Sequence, residues 1–324
     1  MASNLDVSIL LGKESTYGTP VTLSDAFEGK ADTYKRVHEY IDSVGFRAGM
    51  ETLRSDRRTL VNMGGEGELE IDVLTTGFGF LLESMLGSTA GPTQEAATAA
   101  YTTTATTSSD APGISYTVQI QRVAVDGSLQ SFTHHGGTIT SWSLMQEVGG
   151  LLVATLQADF EDVDTSTGAG TPAYAAGNVP FDWTMLDVTL DSVSTDLTKF
   201  ELEGDLGLVT DRRFLKSSSL KAQPVRSSVP SYEGSMELEY QGEVEYDDFV
   251  AGNVVPIIAT WTGATIEGAH NYELEITCAA CQYTGDAPVS SLDGVPTMTV
   301  PFKVLDNGTD PAIQITYKST DTAL

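Results

Sequence analysis

Glu66-Gly67-Glu68-Leu69-Glu70-Ile71-Asp72-Val73 alternates carboxylates with apolar residues, and a related stretch, Glu233-Gly234-Ser235-Met236-Glu237-Leu238-Glu239-Tyr240, follows 167 positions later. In an extended strand, successive side chains point to opposite faces. Leu69, Ile71 and Val73 then share one face, and Glu68, Glu70 and Asp72 the other. In the second stretch Met236, Leu238 and Tyr240 oppose Glu237 and Glu239. Each stretch reads as a half-buried strand with an acidic wet face, the mark of an antiparallel sheet packed on one side only.

Charge follows the same bias along the whole chain. Forty-five acids face seventeen bases in 324 residues, a net charge of −28, and only eight of the bases are lysine. Such a surface repels polyanions and lacks the basic clusters that grip nucleic-acid phosphates. It suits a surface that DNA passes without sticking. It equally suits a halophilic host, because at 1 M salt the Debye length is about 3 Å and self-repulsion is screened. Met1-Ala2-Ser3-Asn4-Leu5-Asp6 lacks the basic flank and apolar core of a signal peptide, and no apolar run has the length of a membrane span. Two cysteines make no disulfide framework. The expectation is a soluble protein made in a cytoplasm, with no membrane contact.

Working outward, residues 1–30 read as an irregular arm carrying the turn-rich run Gly12–Val21, and deletion of residues 1–20 is expected to leave the subunit folded. A first strand is expected near Glu39–Phe46, then the basic cluster Arg54-Ser55-Asp56-Arg57-Arg58. Phe78, Leu81, Leu82 and Met85 recur at helical spacing before Gly87, predicting one short helix over the oily face of a sheet. Ser88–Gly113 has few large apolar residues and reads as a long exposed loop, Asp164–Gly177 as a linker. Strands are predicted at Tyr116–Val125, Leu129–Thr133, Thr138–Met145 and Leu151–Phe160, with a turn at Asp126-Gly127. Later strands fall at Thr297–Leu305 and Ala312–Tyr317, joined through Asn307-Gly308.

The second half echoes the first. Asp211-Arg212-Arg213 echoes Asp56-Arg57-Arg58, Tyr272–Ile276 echoes Tyr116–Ile120, Gly294 echoes Gly137, and Tyr246–Val250 stands where the helix stood. The prediction is a mainly β chain of two tandem sandwich or half-barrel units, each with one short helix: residues 1–163, a linker over 164–180, and residues 181–324.

Residues with chemical potential have plainer readings. Cys278-Ala279-Ala280-Cys281 is half of a zinc site with no second half, so the thiols are expected to be structural. His134-His135 before Gly136-Gly137 reads as a surface hairpin end, since neighbours on a strand face opposite ways. The acidic strands lack the compact Asp/Asn/Gly loop that calcium favours. Arg57, Arg58, Arg212 and Arg213 are either ion pairs within each unit or contacts to acidic neighbours. With no phosphate loop, nucleophile elbow or HExxH, no enzyme, cofactor or metal is expected.

Gly12-Lys13-Glu14-Ser15-Thr16-Tyr17-Gly18-Thr19-Pro20-Val21, the arginine cluster leading to Gly-Glu-Leu-Glu-Ile, the helix Phe78–Leu86, and Val295–Phe302 followed by Ile313–Tyr317 together resemble the major tail tube proteins of long-tailed (siphovirus-like) double-stranded DNA viruses. The resemblance implies a virion protein with a β-sandwich and a short helix, stacking in rings into a hollow tail tube. Its strands would join into one barrel around the bore through which DNA is ejected. It further implies other tail proteins as partners, such as a tape measure and a terminator, and transient, non-specific passage of double-stranded DNA. A doubled unit suggests rings of three chains with pseudo-sixfold symmetry; six chains with the second unit outside is the rival. The expected bore residues are Glu68, Glu70, Asp72, Glu237 and Glu239, with Glu201, Glu203, Glu273 and Glu275. Tyr17, Gly18 and Pro20 with the four arginines are the expected assembly contacts. A tail terminator, a capsid decoration protein and an adhesin-like extracellular module are the alternatives.

Overall fold

The alternating stretch Glu66–Asp72 is the C-terminal half of a 15-residue strand, Arg58–Asp72, and Leu69, Ile71 and Val73 are buried as the alternation requires. The computed structural model describes residues 7–323 except 24, 46, 47, 50, 109–112, 176, 216, 217 and 286–294. The first half holds strands β1 Ser8–Lys13, β2 Asp25–Phe27, β3 Gly29–Asp32, β4 Lys35–Asp42, β5 Arg58–Asp72, β6 Gly87–Gln94, β7 Tyr101–Thr107, β8 Tyr116–Val123, β9 Leu129–Glu147, β10 Val153–Phe160 and β11 Asp162–Asp164. The second holds β12 Leu186–Leu190, β13 Val193–Ser194, β14 Leu197–Asp205, β15 Leu208–Val209, β16 Val225–Arg226, β17 Ser231–Glu239, β18 Val254–Glu267, β19 His270–Tyr283, β20 Thr297–Val304 and β21 Ile313–Ser319. Helices α1 Gly79–Leu86 and α2 Val244–Ala251 complete the fold.

Six strands build one antiparallel wall in the order β5, β10, β9, β14, β17, β20. The two halves meet inside it, where β9 pairs with β14 from Ser141↔Asp205 to Glu147↔Lys199. One side of this wall is apolar. Over the first half it is covered by β1, β8 and α1, whose Leu81, Leu82 and Met85 are fully buried, while the Trp142 indole N–H donates to the Met85 carbonyl at 2.9 Å. Over the second half the cover is the hairpin β18–β19. Trp261 of β18 packs edge-on to Phe200 of β14 at 6.0 Å and donates to Gln146 at 3.1 Å. Burying a large apolar side chain contributes about 1.5–3 kcal/mol, so these two lids hold the wall. Helix α2 buries no residue and leaves the covering to the hairpin.

The same succession of pairings occurs in each half. In the first it runs β2–β1–β8–β9–β10–β5–β3, in the second β13–β12–β18–β19–β20–β17–β14. The register agrees to the residue. Strand β3 has a bulge at Lys30, between Gly29↔Ile71 and Ala31↔Glu70; β14 has one at Thr198, between Leu197↔Leu238 and Lys199↔Glu237. Ile71 and Glu70 stand four and three residues past Gly67, as Leu238 and Glu237 stand past Gly234. Both glycines are forced by close approach: a Cβ on Gly67 would lie 2.1 Å from the Tyr34 ring, and one on Gly234 2.3 Å from the Phe302 ring.

Several expectations are corrected. Residues 1–30 are not a loose arm. Ile9, Leu10 and Leu11 of β1 are buried and paired with β8, so removing residues 1–20 would remove a core strand. Ser88–Gly113 is not one long loop but carries the hairpin β6–β7, whose β7 pairs with β21. Threonine is β-branched and suits strands, so few large apolar residues did not mean no strand. His134-His135-Gly136-Gly137 is no hairpin end but lies within the 19-residue β9, with His134 buried against Tyr34 and Phe160. Gly136, at φ 64°, and Gly137, whose Cβ would lie 2.5 Å from Phe160, let β9 bend there, from pairing with β8 to pairing with β14. Register also changes the internal correspondences. The counterpart of β8 is β18 rather than Tyr272–Ile276, and Asp211–Arg213 lies between β15 and β16, away from any counterpart of Asp56–Arg58. Gly294 lies outside the described residues.

Candidate functional site

The second side of the wall is polar across all six strands. Pairing sets the side chains in rows: Glu70, Thr155, Ser143, Glu203, Glu233 and Lys303 in one, Glu68, Gln157, Ser141, Asp205 and Ser231 in the next, and Asp72, Val153, Met145, Glu201 and Ser235 beyond. Glu147, Lys199, Glu237 and Thr299 form a further row at one end. Among the described residues this face gathers twelve carboxylates, the others being Glu66, Glu239 and the buried Asp159, against Lys30, Lys35, Lys199, Lys221 and Lys303.

The lysines are spent on particular acids. Lys30 Nζ lies 3.1 Å from Asp72 and 3.4 Å from Glu70, and Lys199 lies 3.0 Å from Glu201 and 3.8 Å from Glu147. Lys303 meets Glu233 at 3.1 Å, and Lys35 meets Glu66 at 3.0 Å. The Glu68 carboxylate accepts from the Gln157 amide at 2.8 Å. Glu203 has no such cation: its own burial first, then the neighbouring Glu201 and Glu233 charges, hold its carboxyl above the usual range. Glu233 is held below it by the Lys303 hydrogen bond. The face is thus a field of partly compensated carboxylates with serine and threonine between them. It offers anion repulsion; among the described residues no three His, Cys, Asp or Glu side chains gather as a metal site.

Of the nine expected bore residues, seven share this face. Glu273 and Glu275 do not. They alternate with Leu274 and Ile276 on β19, which enter the same core from the opposite layer, so both carboxylates lie on the other surface, Glu273 paired with Lys318 at 3.0 Å. Glu147, Asp205 and the lysines escaped the sequence reading, although Lys199-Phe200-Glu201-Leu202-Glu203-Gly204-Asp205 carries the same alternation.

The expected contact residues scatter. Glu14 is buried and accepts from the Gly18 and Gly136 N–H groups at 2.9 Å and from the Ser115 and Thr117 hydroxyls at 2.8 Å. Those bonds hold the Tyr17–Gly18 turn against β9, burial raises the Tyr17 hydroxyl pKa, and Pro20 is exposed. Arg57 is exposed, and Arg58 stacks on Tyr40 with its guanidinium 4.5 Å from the ring centre. Arg212 donates to the Gln223 carbonyl at 2.5 Å and lies over Phe214. Arg213 bonds Asp211 at 2.6 Å, Ser219 O at 2.7 Å and Met63 O at 3.2 Å, fastening the segment after β15 to β5 of the first half. Cys278 and Cys281 are buried side by side on β19, where the hydrogen bond with the Cys281 thiol first, then burial, raises the Cys278 pKa.

The family model for the phage tail tube protein matches residues 4–322. The chain belongs to the phage tail tube protein family. No curated protein matches it. As a tail tube protein it is a structural component of the virion tail, a member of a family whose chains assemble with themselves and with other tail components. No helix among the described residues is long and apolar enough to cross a membrane.

Proposed function

We propose that this tail tube protein stacks in rings of three chains, and that its acidic wall face lines the bore through which double-stranded DNA leaves a long-tailed virus. The supporting observation is the continuous wall: both halves contribute to one hydrogen-bonded sheet through β9 and β14, with their acidic rows on the same face. A second half serving as outer decoration would not continue the first half's wall in register. Each chain then brings two consecutive tube units, and three chains give the pseudo-sixfold ring. A closed barrel also removes the unpaired edges that invite aggregation. Glu68, Glu70, Asp72, Glu201, Glu203, Glu237 and Glu239 repel phosphate, so DNA finds no sticking point. Glu273 and Glu275 belong to the outer surface. The acid excess serves passage of DNA and, in a halophilic host, solubility at high salt.

Single cysteines at Glu70, Glu237 and Glu273 test this in assembled tubes, using a maleimide carried on a protein too large to enter the bore. The proposal expects Glu273→Cys to react and Glu70→Cys and Glu237→Cys to stay unlabelled until the tubes are dissociated. Labelling of the latter two on intact tubes would overturn it.

A further inference from the structure

Four segments far apart in sequence enclose a cavity of about 370 Å³ beside the N-terminal end of α1. Strand β2 supplies Phe27, the turn after β5 supplies Leu74 and Phe78, and α1 supplies Phe80. The stretch before β12 supplies Tyr174, and the chain after β21 supplies Asp321. These walls are fastened to one another. The Ala26 N–H donates to the Ala173 carbonyl at 3.0 Å, the Thr75 N–H to the Val179 carbonyl at 2.9 Å, and the Gly77 N–H to Asp321 Oδ2 at 2.7 Å. Thr76 and Asn178 also meet through their side chains. A cavity of this size with bonded walls is preformed, as small-molecule sites usually are.

Its chemistry is one-sided. The rings of Phe27 and Phe80 lie 6.1 Å apart, and Tyr174 is half exposed. Every charged side chain in the lining is a carboxylate, from Asp25, Glu28, Asp72 and Asp321, with no lysine, arginine or histidine beside them. Asp72 is shared with Lys30 at 3.1 Å. Asp321 has no cationic partner among the described residues. Burial holds its carboxyl above the usual range, against hydrogen bonds from the Gly77 N–H and the Ser319 hydroxyl.

We infer that this cavity binds an organic ammonium cation with an aryl or alkyl body, its charge on Asp321 and its body among Phe27, Phe80 and Tyr174. Aromatic faces attract cations, and an ammonium group beside a half-buried carboxylate favours its charged form. A neutral guest of the same shape gains neither, and an anionic one is repelled by all four acids. The charge of the lining therefore selects the guest, while the apolar walls hold its body.

The test titrates phenethylammonium into the full-length, unassembled subunit and follows the ligand by NMR, with 2-phenylethanol as its neutral counterpart. The inference expects saturable binding of the cation and at least about tenfold weaker binding of the alcohol. A similar loss is expected in Asp321→Asn, which keeps the shape of the side chain. Tyr174→Ala, at an exposed position, should weaken binding roughly two- to fivefold. Binding should also weaken as pH falls through the folded value of Asp321, a step that Asp321→Asn removes while Asp25, Glu28 and the Asp72–Lys30 pair remain. Circular dichroism checks that both variants fold; should Asp321→Asn not fold, Tyr174→Ala and the alcohol decide. Equal binding of the alcohol, unchanged binding in the folded variants, or no binding of phenethylammonium would overturn the inference.

Discussion

Gly67→Ala probes the stretch around which the fold is built. An added Cβ would lie 2.1 Å from Tyr34 Cδ1, 2.5 Å from its Cα and 2.8 Å from its backbone nitrogen. Turning the ring does not relieve contacts with backbone atoms, so β5 must part from the chain at Tyr34. That ring packs on Phe160 at 5.2 Å and on His134 at 5.5 Å, and both contacts loosen. Overpacking of this kind costs about 1–3 kcal/mol, and each aromatic contact about 0.5–1.5 kcal/mol more. We expect a loss of about 3 kcal/mol, which at ~2 °C per kcal/mol for a chain of this size lowers Tm by roughly 6 °C. The assay is thermal unfolding of the unassembled subunit by circular dichroism. Gly242→Ala, where an added Cβ meets nothing within 4 Å, should leave Tm unchanged. In a Tyr34→Ala background the cost of Gly67→Ala should drop. A Gly67→Ala subunit as stable as wild type would refute the reasoning that close approach, rather than flexibility, puts glycine in this strand.

Three further outcomes are expected. Lys221 is buried with its ammonium on Asp159, whose carboxyl burial holds above the usual range; Lys221→Ala strands that acid and should cost about 3–5 kcal/mol in urea unfolding, whereas Lys221→Met with Asp159→Leu should recover most of it. The raised Glu203 carboxyl binds its proton more tightly folded than unfolded, so its contribution is present at acid pH and lost as pH rises through the folded value. Glu203→Gln should therefore gain stability over wild type as pH rises from about 4 to 7, and a constant gap across that window would contradict this. With a net charge of −28, tube growth followed by light scattering should quicken as salt rises from about 0.05 to 1 M and the Debye length shrinks; slower growth would argue that attraction between charges drives assembly.

Period-two alternation made the strands legible, and the spacing of Phe78, Leu81, Leu82 and Met85 made the helix legible. Alternation tells which residues face a core and not which layer supplies the strand. Glu70 and Glu275 look alike in sequence, yet β5 and β19 enter one core from opposite sides, so their carboxylates emerge on opposite surfaces. Large apolar residues mark deep strands and miss shallow ones, so threonine-rich β6 and β7 escaped notice. The likeness of the two halves shows in sequence at Glu66–Val73 and Glu233–Tyr240. Its full extent lies in backbone register, and the bulges at Lys30 and Thr198 share no side-chain chemistry to reveal it. Buried Glu14 was hidden for a related reason, because its four donors come from segments up to 122 positions away.

The most direct measurement is a reconstruction of the assembled tube at a resolution that traces side chains. The account predicts three chains per ring, one uninterrupted sheet around the bore, Glu68, Glu70, Glu203 and Glu237 pointing into it, and Glu273 and Glu275 on the outside. Six chains per ring with the second half outside the wall, or those four carboxylates on the outer surface, would contradict it.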